Sequence, residues 1–223
     1  MSHDVKNTYR VTASGESRSF PSTHAFTDKA DAEGASRVFT GADAGAAFTA
    51  AGELGACPFV AIELGTECLG AHTGEDRGHE GSNVVGFARF RMGNADPSSL
   101  IELVRQPNTR ESAIAAAKAA FEAAGLKVAV CGDFPGRIVD RLVRPYLNAA
   151  LRRLDEKLAS AEDMDKTLCL GLGYPEGPIA LLTRTGLTEH HDVTQALHVA
   201  LGEEPYAPAR RAQVAKAREP QAR

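Results

Sequence analysis

Glu102 stands in Leu100-Ile101-Glu102-Leu103-Val104, a carboxylate set among aliphatics on a segment whose residue types favour a strand. Such a glutamate is either the solvent-facing residue of an alternating strand or a functional carboxylate held for acid–base work. A second group of chemically capable residues lies between Gly65 and Ser82. Cys68, His72, Glu75, Asp76, His79 and Glu80 are all of metal-ligating type, but their spacing matches no zinc or carboxylate pattern. That stretch reads as a polar surface loop, and no metal is expected. His190-His191-Asp192 and His198 stand beside a helix start and read as solvated or capping side chains. Gly41-Ala42-Asp43-Ala44-Gly45 follows a strand candidate, yet lacks the GxGxxG spacing that closes backbone amides on a pyrophosphate. It reads as a strand-to-helix turn. No GxSxG or Cys/His nucleophile arrangement is present.

The elements around these residues must position them. Cys131–Leu187 is the most strongly patterned stretch. From Ile138 onward, Val139, Leu142/Val143, Tyr146/Leu147, Ala150/Leu151, Leu154 and Leu158 recur at helical spacing with arginines between them. Pro145 lies inside that helix and predicts a kink rather than a stop, because the apolar stripe continues past it. Ser160 caps a second helix with Asp163 three residues on, Gly171 and Gly173 end it, and Gly177-Pro178 opens a third. Earlier in the chain, Tyr9–Ala13, Arg37–Thr40, Pro58–Leu64, Asn83–Met92, Leu100–Arg105 and Leu126–Val130 are strand candidates. Between them lie a helical turn at Thr27–Gly34, a small-residue helix from Asp43 to about Gly55 and an alanine-rich helix from Thr109 to Gly125. His191–Leu201 and Ala209–Ala217 are helical. The pattern predicts an α/β or α+β chain, with a sheet layer over 1–133 and an all-helical domain over 134–223.

With 43% hydrophobic and 24% charged residues, wholesale disorder is excluded. A net charge of −4 argues against nucleic acid as the main partner, and the basic end Ala209–Arg223 reads as solvated. No apolar run approaches the roughly 18 residues of a membrane span, so no membrane partner is expected. The start MSHDVKNTYR lacks the apolar core of a secretory signal, which leads to the expectation of a cytoplasmic protein. Cys57, Cys68, Cys131 and Cys169 show no CxxC spacing and read as reduced, buried thiols.

The order Pro135-Gly136, Ile138-Val139, Pro145-Tyr146-Leu147-Asn148-Ala149-Ala150-Leu151, then SAEDMD from Ser160, LGLGYPEGPIALL from Leu170 and Thr185-Gly186-Leu187 resembles the carboxy-terminal domain of 3-hydroxyacyl-CoA dehydrogenases. The resemblance is strongest over 131–187 and extends weakly from about Pro58 to about Tyr206. It implies a Rossmann-like layer followed by an all-α, 6-phosphogluconate-dehydrogenase-like helical domain. It also implies an oxidoreductase acting with NAD on acyl-CoA thioesters in fatty acid metabolism. Those relatives begin with a full dinucleotide-binding domain carrying GxGxxG and a ribose-holding acid. Here that front is cut away or rebuilt, which implies a truncated, degenerate Rossmann layer.

Carried over residue by residue, the resemblance leaves little of the family's chemistry. Its base histidine, two residues after a strand glycine, falls on Ala88 in Val84-Val85-Gly86-Phe87-Ala88-Arg89-Phe90. Alanine transfers no proton, and Arg91-Met92-Gly93 replaces the asparagine and proline that follow. The acid partner of that histidine matches Glu102. The substrate-contacting serine falls on Glu67, whose carboxylate would repel a developing alkoxide. The asparagine of GFIVNR becomes Asp140, with Arg137 in place of the aromatic. These positions imply a family member that is non-catalytic alone, an acyl-CoA-binding or dimeric assembly module, without a cofactor and homodimeric through its helical domain. The alternative is a divergent dehydrogenase or other acyl-CoA enzyme of fatty-acid or aromatic-acid degradation, using NAD and Glu102, Asp140 or Glu67 in altered roles. If Glu102 is buried, it is expected to pair with Arg89, Arg91 or Arg137.

Overall fold

A computed structural model describes residues 8–74 and 79–219. The chain divides into two compact units, one of Met1–Arg91 with Pro97–Arg137 and one of Met92–Asp96 with Ile138–Arg223.

The first unit carries a sheet of β1 (Tyr9–Ala13), β2 (Ser36–Thr40), β3 (Val60–Glu63), β4 (Val84–Arg89), β5 (Leu100–Arg105) and β6 (Lys127–Gly132), in that spatial order. Strands β1 to β4 run parallel, β5 is antiparallel to β4, and β6 is parallel to β5. Helices α1 (Ala25–Asp28), α2 (Ala44–Ala50), α3 (Gly70–Thr73) and α4 (Glu111–Ala123) join the parallel strands. Side chains alternate across the strands, so neighbours such as Val38 and Phe39, or Ala61 and Ile62, enter different cores. One core packs Phe26, Phe87 and Ile101 against Ala113, Ile114, Ala117 and Phe121 of α4. The other packs Phe39, Val60, Ile62 and Val104 with Ala44 of α2. Apolar side chains on both faces explain why these parallel strands read as near-continuous hydrophobic runs. Aromatic stacking of Phe26 on Phe121 at 4.4 Å and on Tyr9 at 4.6 Å ties β1, α1 and α4 together. Each such pair contributes about 0.5–1.5 kcal/mol beyond its buried area.

Several boundaries differ from expectation. The strand over 83–92 stops at Arg89, the helix expected to reach Gly55 stops at Ala50, and the loop after Gly65 holds the short α3. The four cysteines are free thiols, as expected, but each is partly exposed rather than buried.

The second unit contains α5 (Val139–Asp155), α6 (Ala161–Leu172), α7 (Pro178–Thr185), α8 (Leu187–Leu201), a 3₁₀ turn (Glu204–Tyr206) and α9 (Arg210–Ala217). Helix α5 runs through Pro145 without a stop. Ser160 Oγ accepts from Asp163 N at 3.1 Å and caps α6. Gly173, at φ +71°, ends that helix, while Gly171 lies within it. Pro178 opens α7, whose first amides, Ile179 N and Ala180 N, donate to the Asp165 carboxylate at 2.9 and 2.8 Å. The segment Met92–Asp96 packs with these helices, Asn94 N donating to Thr185 O at 3.3 Å.

The apolar stripe of α5 does not form one buried seam. Its inner face carries Leu147, Ala150 and Leu151 together with the polar Asp140, Arg144 and Asn148. Leu142 is 71% exposed, and Leu158, expected on the same helix, lies beyond its end at Asp155 and is 70% exposed. Among the described residues, no helix is long and apolar enough to cross a membrane.

Candidate functional site

Glu102 lies at the centre of β5, 2% exposed. Its Cα partners are Ala88 on β4 and Ala129 on β6, so small side chains flank it across the sheet. Arg137 Nε lies 3.5 Å from Glu102 Oε2, with both side chains almost wholly buried. The backbone delivers that arginine through a tight turn after β6. Gly136 N donates to Thr66 O at 2.9 Å, and Arg137 takes φ +50°, a left-handed conformation unusual for a side-chain-bearing residue. Arg137 Nη2 then donates to Gly65 O at 2.6 Å, while Nη1 has no hydrogen-bond partner among the described residues. Of the cations expected to meet Glu102, Arg137 does so. Arg89 instead donates to the carbonyls of Ser98, Pro97 and Ser19.

Glu67 is a half-exposed surface group. Its Oε1 accepts from Gly65 N at 3.0 Å and lies 3.3 Å from His72 Nε2. His72 is pressed against Gly45, where an added Cβ would sit 2.1 Å from its Nδ1. These residues and Glu16, Gly41 and Glu63 line a pocket of about 240 Å³ in the sheet unit. Glu75 and Asp76 of the suggested ligand group lie outside the described residues. Among the described residues, no group of three or more His, Cys, Asp or Glu is placed to hold a metal.

Asp140 belongs to the helical unit. Its Oδ1 lies 2.8 Å from Nε of the fully buried Arg144, one turn further along α5. Arg144 also forks onto Glu189, Nη1 to Oε2 and Nη2 to Oε1 both at 3.2 Å, and reaches Met92 Sδ at 3.2 Å. Burial works against the guanidinium charge, but Asp140 and Glu189 outweigh it and raise the Arg144 pKa above its ordinary value. His190 is a further neighbour. A guanidinium only donates, so His190 Nδ1 accepts from Arg144 at 3.2 Å and Nε2–H donates to Asn148 Oδ1 at 3.0 Å. Burial first, and then Arg144, push the His190 pKa down to about 3, which keeps the ring neutral in that tautomer. Asn148 continues the network through Nδ2 to Pro205 O and Ala207 O, and accepts from Ala209 N.

This corrects the reading of His190 as solvated or capping, since the side chain is buried at the unit's centre. His191 and His198 do lie near the surface, beside Asp192 Oδ1 and Glu203 O. Sequence reasoning also passed over Arg144, Asn148 and Glu63. The one available signal for Arg144 was its four-residue spacing from Asp140 on a helix.

Each of the three carboxylates is thus engaged within its own unit. Glu102 and Glu67 sit in the sheet unit with Arg137 and His72, and Asp140 sits in the helical unit with Arg144.

Comparison with known proteins gives these residues a context. Residues 136–222 match the family described as 3-hydroxyacyl-CoA dehydrogenase, C-terminal domain. The chain is 35% identical over 120 residues to human mitochondrial hydroxyacyl-coenzyme A dehydrogenase, a match covering 53% of this chain and 38% of that protein. It is 35% identical over 109 residues to 3-hydroxybutyryl-CoA dehydrogenase of Bradyrhizobium diazoefficiens, covering 49% and 37%. The chain therefore spans less than two fifths of these curated relatives' length. In structure it is similar to (S)-3-hydroxybutyryl-CoA dehydrogenase from Ralstonia eutropha, with a TM-score of 0.66 at 22% identity, over 86% of this chain and 68% of that one. That likeness is one of fold, a Rossmann-like layer followed by a helical domain. Residues 136–222 are thus similar to the carboxy-terminal domain of 3-hydroxyacyl-CoA dehydrogenases.

Proposed function

We propose that the chain is a degenerate member of this family, non-catalytic on its own, retained as a dimeric assembly module with affinity for acyl-CoA. The observation that carries this reading is the capture of Glu102 by Arg137, with Ala88 directly opposite on β4. A carboxylate serving acid–base chemistry needs a titratable partner, and arginine stays charged at any working pH. General acid–base assistance is worth about 10²–10⁴ in rate, so losing the base together with the groups that hold the substrate oxygen leaves no useful dehydrogenase. The sheet-unit pocket does not suit a dinucleotide either. Glu16, Glu63 and Glu67 put carboxylates on its wall against the guanidinium of Arg18, and the Gly41 and Ala42 amides already donate to Glu63 Oε2 and Glu16 O. The test is calorimetric titration with NADH and with acetoacetyl-CoA, beside an assay of 3-hydroxyacyl-CoA oxidation. The expected result is no NADH heat and no turnover. A micromolar dissociation constant for NADH with measurable turnover would restore the enzyme reading, in which Glu102, Asp140 or Glu67 acts in an altered role.

Support for the dimer comes from the helical unit. Leu142 is 71% exposed on α5, and Leu170 and Leu172 are 78% and 64% exposed on α6, a helix with no buried residue. Tyr146, one turn beyond Leu142, meets Tyr174 edge to face at 5.8 Å, joining those two surfaces. So much exposed leucine marks an association surface, and a second copy of the chain is the partner we assign to it. Light scattering at micromolar concentration is expected to report twice the 23.6 kDa chain mass, reverting to the single mass in Leu142→Glu/Leu170→Glu. A wild-type monomer would overturn the assignment.

A further inference from the structure

Glu63 is a buried carboxylate that the Glu102 pair does not use. It ends β3 and is 5% exposed. In open α/β sheets, ligands lie beyond the carboxyl ends of the strands, where backbone amides of successive turns hold their phosphates. The loops after β1 and β2 supply donors of that kind, and three of those donors point at Glu63. Gly41 N and Ser17 Oγ each donate to Oε2 at 2.7 Å, and Ser19 N donates to Oε1 at 2.7 Å. Gly41 holds φ +101°, and a Cβ there would lie 2.1 Å from Ser14 O, so only glycine turns its amide inward at this point. Ser17 Oγ in turn accepts from Phe20 N at 2.8 Å, which fixes its hydroxyl proton toward the carboxylate. Two loops far apart in sequence thus converge their donors on one charge. Charge-assisted bonds of this kind are about twice as strong as neutral ones.

We propose that Glu63 is a resident anion. Its carboxylate occupies the oxyanion seat formed by the strand ends, excludes external phosphate from it, and leaves a vacant seat for a small oxyanion when it is removed. A second anion beside Glu63 would meet its charge at close range, with Glu16 and Glu67 outnumbering Arg18 on the same pocket wall. The inference does not depend on how Glu102 is read. Turnover by the wild type would overturn the functional proposal above, whereas this one is decided by anion response alone.

The experiment compares thermal unfolding of the wild type, Glu63→Ala and Glu63→Gln in formate, phosphate and chloride at matched ionic strength. Glu63→Ala leaves the two amides and the hydroxyl facing an empty seat. Its Tm is expected to rise by about 5 °C in roughly 100 mM formate or phosphate relative to chloride, with no such rise in the wild type. Glu63→Gln keeps the shape and one acceptor oxygen. It is expected to unfold at lower temperature than the wild type and to ignore the anions, because its amide fills the seat. Should Glu63→Ala fold only with help, refolding yield in formate against chloride reads the same rescue. Equal response of Glu63→Ala to all three salts, in Tm and in refolding yield, would overturn the proposal. So would phosphate stabilisation of the wild type as large as that of Glu63→Ala, or a Glu63→Gln variant as stable as the wild type.

Discussion

Arg144→Ala is expected to lower the unfolding free energy of the helical unit by about 3–5 kcal/mol, the largest loss of any single substitution considered for this chain. The guanidinium is fully buried and holds Asp140, Glu189, His190 and Met92. Truncation leaves a cavity and two carboxylates without the charge that offsets their burial, so the loss exceeds that of an apolar truncation of similar volume. Urea unfolding followed by the helical circular dichroism signal measures it. Arg153→Ala is the control, since Arg153 pairs with Glu156 at side-chain exposures of 54% and 56% and exposed pairs contribute well under about 1 kcal/mol. Replacing the cluster together, as Arg144→Met with Asp140→Asn and Glu189→Gln, is expected to cost less than Arg144→Ala alone. That order follows because stranded charge, rather than lost attraction, dominates the penalty. A loss below about 1 kcal/mol for Arg144→Ala would show that water or another cation reaches those carboxylates.

The second large effect is expected for Glu102→Gln. The variant leaves Arg137 charged and buried opposite a neutral amide, at a cost of about 3 kcal/mol, near the lower end for breaking a buried pair because the contact is 3.5 Å. Unfolding should therefore shift markedly, and on the functional reading proposed above the activity assay should not change. Arg137→Met tests the pair from the other side and strands the carboxylate instead. Wild-type turnover abolished by Glu102→Gln without loss of stability would make Glu102 a working catalytic group.

The strands and helices were legible because their signals are local. Alternation and apolar runs marked β1 to β6, Ser160 marked the start of α6, and Pro178 marked the start of α7. The dependence of Glu102 on a cation was legible too, because a buried carboxylate must be paired. What stayed hidden depends on contacts distant in sequence. His190 is buried because Arg144 and Asn148, on another helix, satisfy both ring nitrogens. No feature of His190-His191-Asp192 itself distinguishes the inward ring from the outward one. Glu63 reads as the polar end of a hydrophobic strand, and its donors arrive from residues 17, 19 and 41. Leu142 obeys the helical period yet faces outward, because Asp140, Arg144 and Asn148 take part of the inner face a purely apolar stripe would fill, and Leu158 lies beyond the helix end at Asp155.

The packing of Met92–Asp96 with the helices bears on how the chain can be cut and in what order it matures. The family match begins at Gly136, but a polypeptide starting there would lack the thioether against Arg144 and the amide on Thr185 O. The helical unit is thus assembled from two stretches of chain separated by β5, α4 and β6. During synthesis the short stretch emerges first and must wait for α5 and α7 before it has anything to pack on. Closing that long loop costs entropy before any contact rewards it. Final packing of Met92–Asp96 is therefore tied to synthesis of α7, well after β5, α4 and β6 have emerged.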